Sequence, residues 1–234
     1  MEPAQSSSCQ YICIVTHARS GGTVLQRIMQ SMPNTVFRGE NEGAVVDMCN
    51  LLFKIQYLQK YGEKNFKQNF NDTKSPLYGA NFIKFDSMIE SFRRVFIDEI
   101  LCVPRGVDYA GWKEHWFDPS HHGSDNIKKQ FEILKMLFPG IKIIFNIRNP
   151  HDSSQSATLK NIKNSYDMIN NYNNFYTKVH QDNFFNNNSI LLKHEDWRGN
   201  PAYLYDQLSG FDLPVDLEKI KIILSEELVH MRNL

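Results

Sequence analysis

Apolar positions along the chain follow two rhythms: short unbroken runs, and longer stretches with a period of three to four residues. Tyr11-Ile12-Cys13-Ile14-Val15-Thr16 is apolar and β-branched, the pattern of a buried strand. Directly after it, Val24, Leu25, Ile28 and Met29 recur at helical spacing, while Gln26, Arg27 and Gln30 face elsewhere. The turn "HARSGGT" lies between, so the opening piece reads strand, tight glycine turn, helix.

The alternation continues. Thr35-Val36-Phe37 is a short extended piece, and Ala44 to Tyr61 is amphipathic. Lys64 to Tyr78, with "NDTKSP" inside it, reads as a polar surface excursion. Phe85 to Leu101 is helical, and "VDYAGWKEHWF" (Val107 to Phe117) begins like a strand. "DNIKKQFEILKMLF" is a helix with Ser124 or Asp125 as its expected cap, ended by Pro139-Gly140. Lys142 to Arg148, "KIIFNIR", is the clearest buried strand, and "NPHDSSQSA" opens the next helix. Ser165 to Asn188 reads as helix with a solvated face and then loop. Ser189 to Lys193 is a last strand, "GNPAYLYDQLSGF" supplies a helix, and the chain closes in helical turns. Strands alternating with helices predict an α/β fold with a mainly parallel central sheet flanked by helices. Ligands of such sheets bind beyond the carboxyl ends of the strands. The opening glycine turn stands at such an end.

Length and composition narrow the picture. The 234 residues suit a single domain spanning 1–234, with residues 1–9 expected to be disordered. Lys+Arg and Asp+Glu both number 26, so the formal charge is zero and a general nucleic-acid binder is disfavoured. No apolar stretch is long enough to cross a bilayer. "MEPAQSSSCQ" lacks the segments of a signal peptide, which makes a cytoplasmic location the expectation. Cys9, Cys13, Cys49 and Cys102 show no metal or redox spacing, and Cys13 and Cys49 are expected in the core. The sequons at Asn71 and Asn187 then read as chance matches in an asparagine-rich chain.

Two places along the chain have the makings of anion sites. At the first, helix-start amides without internal partners carry partial positive charge. Gly21 and Gly22 let the backbone approach a ligand, and Arg19, Ser20 and Thr23 add side-chain donors. An ordinary turn with a solvated Arg19 is the competing reading. At the second, Arg148 stands where a strand ends, before a helix start, and Ser156 follows eight residues on. Such a pair of sites suits a ligand with two separated phosphates.

"RSGGT" after a strand, "IRNP" with that serine beyond it, and "LLKHEDWRGNP" near the end resemble the sulfotransferases. "GWKE" and "FPGIKIIFNIRNP" look especially like bacterial members, and the resemblance runs from about Tyr11 to Pro214. It implies a P-loop-like sulfotransferase fold, with 3'-phosphoadenosine 5'-phosphosulfate (PAPS) as co-substrate and no metal. It implies that Arg19, Ser20, Gly21, Gly22, Thr23 and Val24 hold the 5'-phosphosulfate, and Arg148 and Ser156 the 3'-phosphate. Arg19 stands where cytosolic small-molecule enzymes have lysine, as in protein-tyrosine and bacterial members. A glycine-rich C-terminal lid is not evident, which leaves Arg232 as a substitute.

The resemblance also supplies catalytic candidates. Glu40 in "FRGENEG" is the expected base, ionised beside Arg19; Glu42 and His115 are its rivals. Lys113 in "GWKEH" resembles a lysine that assists the leaving phosphate, the alternative being a strand-end lysine paired with Glu114. Trp112, Trp116 and Phe117 line an acceptor pocket or fill the core. His121-His122 completes no metal spacing and reads as loop. The expected acceptor is a small molecule or carbohydrate. A P-loop kinase would need Gly-x4-Gly-Lys-Ser/Thr, and "HARSGGT" lacks that lysine. A non-catalytic nucleotide-binding protein of the same fold is the remaining alternative.

Overall fold

The computed structural model describes residues 9–66, 69–156 and 159–226. Of the segment expected to be disordered only Cys9 is among them, and Arg232 lies outside the described residues. Five strands, β1 (Gln10–Thr16), β2 (Thr35–Arg38), β3 (Tyr109–Glu114), β4 (Lys142–Ile147) and β5 (Ser189–Lys193), form a wholly parallel sheet. Their order is β2-β3-β1-β4-β5. Between and after them run α1 (Gly22–Gln30), α2 (Ala44–Phe66), α3 (Phe85–Arg94), α4 (Pro119–His122) and α5 (Ser124–Leu137). Then come α6 (Pro150–Ser154), α7 (Ser165–Gln181), α8 (His194–Trp197), α9 (Pro201–Ser209) and α10 (Leu217–Ser225).

The pleat sorts the core into two layers. Ile12, Ile14, Ile144 and Leu192 face α1 and α8–α10, packing with Leu25, Trp197, Leu204 and Ile220. Cys13, Val15, Ile143 and Phe145 face the other way, against α2, α3, α5 and α7. Cys13 and Cys49 are fully buried, as expected for small core residues. Trp112 and Phe117 are core as well, whereas Trp116 keeps 40% of its surface exposed.

This layering places the ligand crevice. From β1 the chain goes through α1 to β2 at one edge, and it later returns through β3 and α5 to β4 on the other side of β1. The connections leaving β1 and β4 pack on opposite faces, so a crevice opens between their carboxyl ends. "HARSGGT" and Arg148 both stand there.

Several local expectations are corrected. The Ala44 helix runs on to Phe66, and α3 continues into a π-helical turn at Val95–Ile100. Neither Ser124 nor Asp125 caps α5: the cap position is Gly123, with no side-chain bond, because its φ of 76° already breaks the chain direction there. The His121-His122 pair lies in a one-turn helix rather than a loop. Asp118 caps that turn by accepting from the Ser120 amide at 2.7 Å, and Pro119 presets its first φ.

Gly111 sits in β3 opposite Phe37 of β2, and the ring lies directly over it. A Cβ there would stand 2.4 Å from Phe37 Cε2 and 2.5 Å from the Ile12 carbonyl oxygen. Gly111→Ala is expected to cost ~1–3 kcal/mol, the usual scale of overpacking, in urea unfolding. A midpoint equal to the parent's would show that this strand contact yields freely.

Candidate functional site

β1 ends at Thr16 and α1 begins at Gly22, so residues 17–21 turn at the sheet's carboxyl end. Two of them take left-handed backbone, Arg19 at φ 66° and Gly21 at φ 87°. A Cβ on Gly21 would also stand 2.6 Å from His194 Cδ2, so only glycine fits this close approach. Arg19 carries a conformational cost of roughly 1–2 kcal/mol. It is held in place by Arg148, whose Nη1 donates to the Arg19 carbonyl at 2.7 Å. The Ser20 hydroxyl points inward, donating to the His17 carbonyl at 2.7 Å and touching Thr16 Oγ1. Ser20 therefore neither caps α1 nor offers its hydroxyl to the crevice; only its backbone faces the turn. The Val24 amide is already used by the Gly21 carbonyl at 3.0 Å. The first-turn amides of Gly22 and Thr23 have no acceptor inside the helix and carry its positive end.

The turn is fixed from below by a buried carboxamide. Asn146, in β4 level with Thr16, donates to the Ser20 carbonyl at 2.8 Å and accepts from Trp197 Nε1 at 3.1 Å. Asn146 and Trp197 are both fully buried. Asn149, just past Arg148, caps α6 by accepting from the His151 amide at 2.9 Å, and its own amide donates to Glu195 Oε1 at 2.8 Å. α8 thus braces both the β1–α1 turn and the β4–α6 turn.

Arg148 is partly buried, with its carbonyl accepting from Asn173 Nδ2 of α7 at 2.7 Å. Its Nε is buried without a partner, as are Ser156 Oγ, His17 Nε2 and Asn173 Oδ1. Ser156 lies past the end of α6, its amide donating to the Ser153 carbonyl at 3.1 Å. Burial, and then the Arg148 charge, hold both His17 and His194 down to about 4, so both imidazoles are neutral near pH 7.

On the other flank, Glu40 follows β2 and meets Lys113 of β3 and His115 just past it. Lys113 Nζ pairs with Glu40 Oε1, and His115 Nδ1 lies 3.1 Å from Oε2. Arg19, the expected neighbour, is not among these partners. Lys113 turns away from Glu114 because successive strand residues point to opposite faces. The same ammonium reaches Thr23 Oγ1 at 3.4 Å, so it spans from the helix start to the carboxylate. Contact with His115 and Lys113 outweighs desolvation and lowers Glu40 to about 2, while Glu40 raises His115. Glu42 is exposed, with φ 50°, and stands apart from this group. Glu114 is buried; its Oε1 accepts from the His115 and Trp116 amides at 2.9 and 3.0 Å, which fixes the chain beside Glu40. The exposed Trp116 ring lies against Gly43 and is tilted beside His115, with centroids 4.9 Å apart.

The structure thus joins Glu40, Lys113, His115 and Thr23 on one flank, and Arg19 and Arg148 on the other. Asn146, Asn173, His17 and Trp197 were not singled out from sequence. A lone Asn inside the apolar run "KIIFNIR" was the one available signal, since a buried carboxamide needs partners. Among the described residues no cluster of three or more metal-ligating side chains occurs, and no helix is long and apolar enough to cross a membrane.

A family model described as "Sulfotransferase family" matches residues 11–202. Among solved structures the chain is similar to the sulfotransferase domain from the curacin biosynthetic pathway. That match has 17% identity and a TM-score of 0.49, covering 98% of this chain and 84% of the other. No curated protein matches.

The Glu40–His115 contact sets a titration. Glu40, lowered from 4.5 to about 2, stabilises the fold fully above its unfolded value, and this is lost as pH falls through about 2. His115, raised above 6.5, stabilises below 6.5, and this is lost as pH rises through its native value. In Glu40→Gln the His115 titration, followed by NMR, should drop to or below 6.5, because burial and the Lys113 charge then act against Glu114 alone. An unmoved titration would mean that the carboxylate does not govern this histidine.

Proposed function

The chain belongs to the sulfotransferase family, and on that premise we propose that it moves a sulfuryl group from PAPS to a hydroxyl or amine of a small-molecule or carbohydrate acceptor. The observation that supports this reading most is the Arg148 bond to the Arg19 carbonyl, which ties two anion-binding strand ends into one crevice. One molecule with phosphates at both ends of a nucleoside suits that spacing. We place the reaction in the cytoplasm and in one domain.

PAPS supplies a sulfuryl group already activated by a phosphate leaving group. The chain's own residues supply the rest. The amides of Gly22 and Thr23, with the Thr23 hydroxyl and the Arg19 guanidinium, bind the 5'-phosphosulfate; the fork of Arg19 stays charged at any working pH. Arg148 binds the 3'-phosphate, assisted by Ser156, whose hydroxyl has no partner within the protein. Lys113, between Thr23 and Glu40, stabilises charge on the departing phosphate.

Glu40 is the proton acceptor in this reading. A carboxylate lowered to about 2 is a weak base while His115 and Lys113 hold it. Sharing Lys113 with the donor's phosphate relaxes that grip, which couples basicity to donor binding. His115 stays beside it as the orienting partner.

Three substitutions test the assignment. Arg148→Ala should weaken binding of the desulfo product, 3'-phosphoadenosine 5'-phosphate (PAP), by ~2–3 kcal/mol, measured by calorimetry. Arg19→Lys keeps the charge and loses the fork, so turnover should fall even where PAP still binds. Glu40→Gln should lose ~10²–10⁴-fold in kcat with PAP affinity little changed, followed as labelled sulfuryl transfer from PAPS across an acceptor screen. Near-parental turnover in Glu40→Gln with an inactive His115→Ala would move the base to the histidine.

A further inference from the structure

Beneath Arg148, two buried acceptors face one another with no proton between them. His17 is 3% exposed, and its Nδ1 lies 2.9 Å from the Ala18 carbonyl, which only accepts; the proton of the neutral ring is therefore on Nδ1, and Nε2 is a bare lone pair. Asn173 donates through Nδ2 to the Arg148 carbonyl at 2.7 Å, which orients its amide and leaves Oδ1 as an acceptor. Neither His17 Nε2 nor Asn173 Oδ1 has a hydrogen-bond partner, although the Asn173 side chain is the one that reaches the imidazole. One proton on Nε2 would satisfy both atoms.

The Arg148 charge opposes that proton. Among the described residues, Glu195 beyond β5 also acts on the ring and favours the proton, and Tyr172 from α7 faces it with its ring centroid 6.0 Å away. We propose that docking of the nucleotide's 3'-phosphate on Arg148 draws one proton from solvent onto His17 Nε2, which then donates to Asn173 Oδ1. His17 and Asn173 are thus positioning residues of the 3'-phosphate subsite. The phosphate's negative charge offsets the guanidinium, and the new N–H···O bond locks Asn173, whose other end holds the Arg148 backbone. Burial keeps the free imidazole at about 4, so the proton arrives with the ligand rather than before it. The inference rests on the reading that Arg148 holds the 3'-phosphate.

The test is calorimetry of PAP in buffers of different ionisation enthalpy at pH 6, on the parent, His17→Asn and His17→Gln. The parent should take up more protons on binding than either variant, and adenosine 5'-monophosphate, which lacks the 3'-phosphate, should show no such excess. As pH falls from 8 to 5, the parent's PAP affinity should gain on that of His17→Asn, towards the limit of about tenfold per unit for one linked proton. Because burial and the Arg148 charge also hold His194 neutral, His194→Asn must keep the excess. Nitrogen NMR of the parent alone, should the variants fail to fold, must show His17 Nε2 becoming protonated when PAP is added. PAP that binds through Arg148 with equal uptake in parent and His17 variants, or an Nε2 signal that stays unprotonated, overturns this inference alone. PAP that fails to bind, or that binds equally to Arg148→Ala, overturns the parent reading with it.

Discussion

A single buried carboxamide holds this site together. Asn146 is the fully buried polar residue of β4, and its two ends are spent on the Ser20 carbonyl and the Trp197 indole. An unsatisfied amide there would cost ~1–3 kcal/mol, so the arrangement is strongly determined. It fixes the β1–α1 turn relative to β4, and α8 relative to both. With the turn fixed, Gly21 fits against His194 and Arg19 presents its carbonyl to Arg148. The first amides of α1 are then held at the carboxyl end of β1.

The two flanks manage charge in opposite ways. On the Lys113 side, a carboxylate is surrounded by a lysine and a histidine, so Glu40 is ionised and His115 gains affinity for a proton. On the Arg148 side, burial and then the Arg148 charge outweigh Glu195 at the two imidazoles and keep His17 and His194 neutral. One flank is internally paired, and on the other the Arg148 charge outweighs the Glu195 carboxylate at the imidazoles. This asymmetry suits a crevice where an anion binds at one end and a proton is removed at the other.

Much of the frame was legible in the sequence because it depends on local rules. β1, β4 and β5 are continuous apolar runs, α1 and α7 show clear helical periodicity, and Pro150 and Pro201 mark helix starts. The fold class and the placing of Arg19, Gly21 and Arg148 at strand ends followed from these patterns. The partners of Glu40 did not: β2 lies beside β3 only through a crossover of some seventy residues, and nothing local reports which side chain of "WKEH" turns towards the carboxylate. The inward turn of Ser20 escaped for a similar reason. A serine before a glycine turn reads as a donor to ligand, and only the tertiary contact with Thr16 and the His17 carbonyl shows it occupied.

The central claim is that the ends of β1 and β4 form one site for a nucleotide phosphorylated at both its 3' and 5' positions. A crystal structure with PAP bound tests it most directly. The 5'-phosphate should lie on the Gly22 and Thr23 amides beside Arg19, and the 3'-phosphate on the Arg148 guanidinium, with Asn146 keeping its bonds to Ser20 and Trp197. PAP found elsewhere, or bound with the Arg148 guanidinium facing no phosphate, would contradict it.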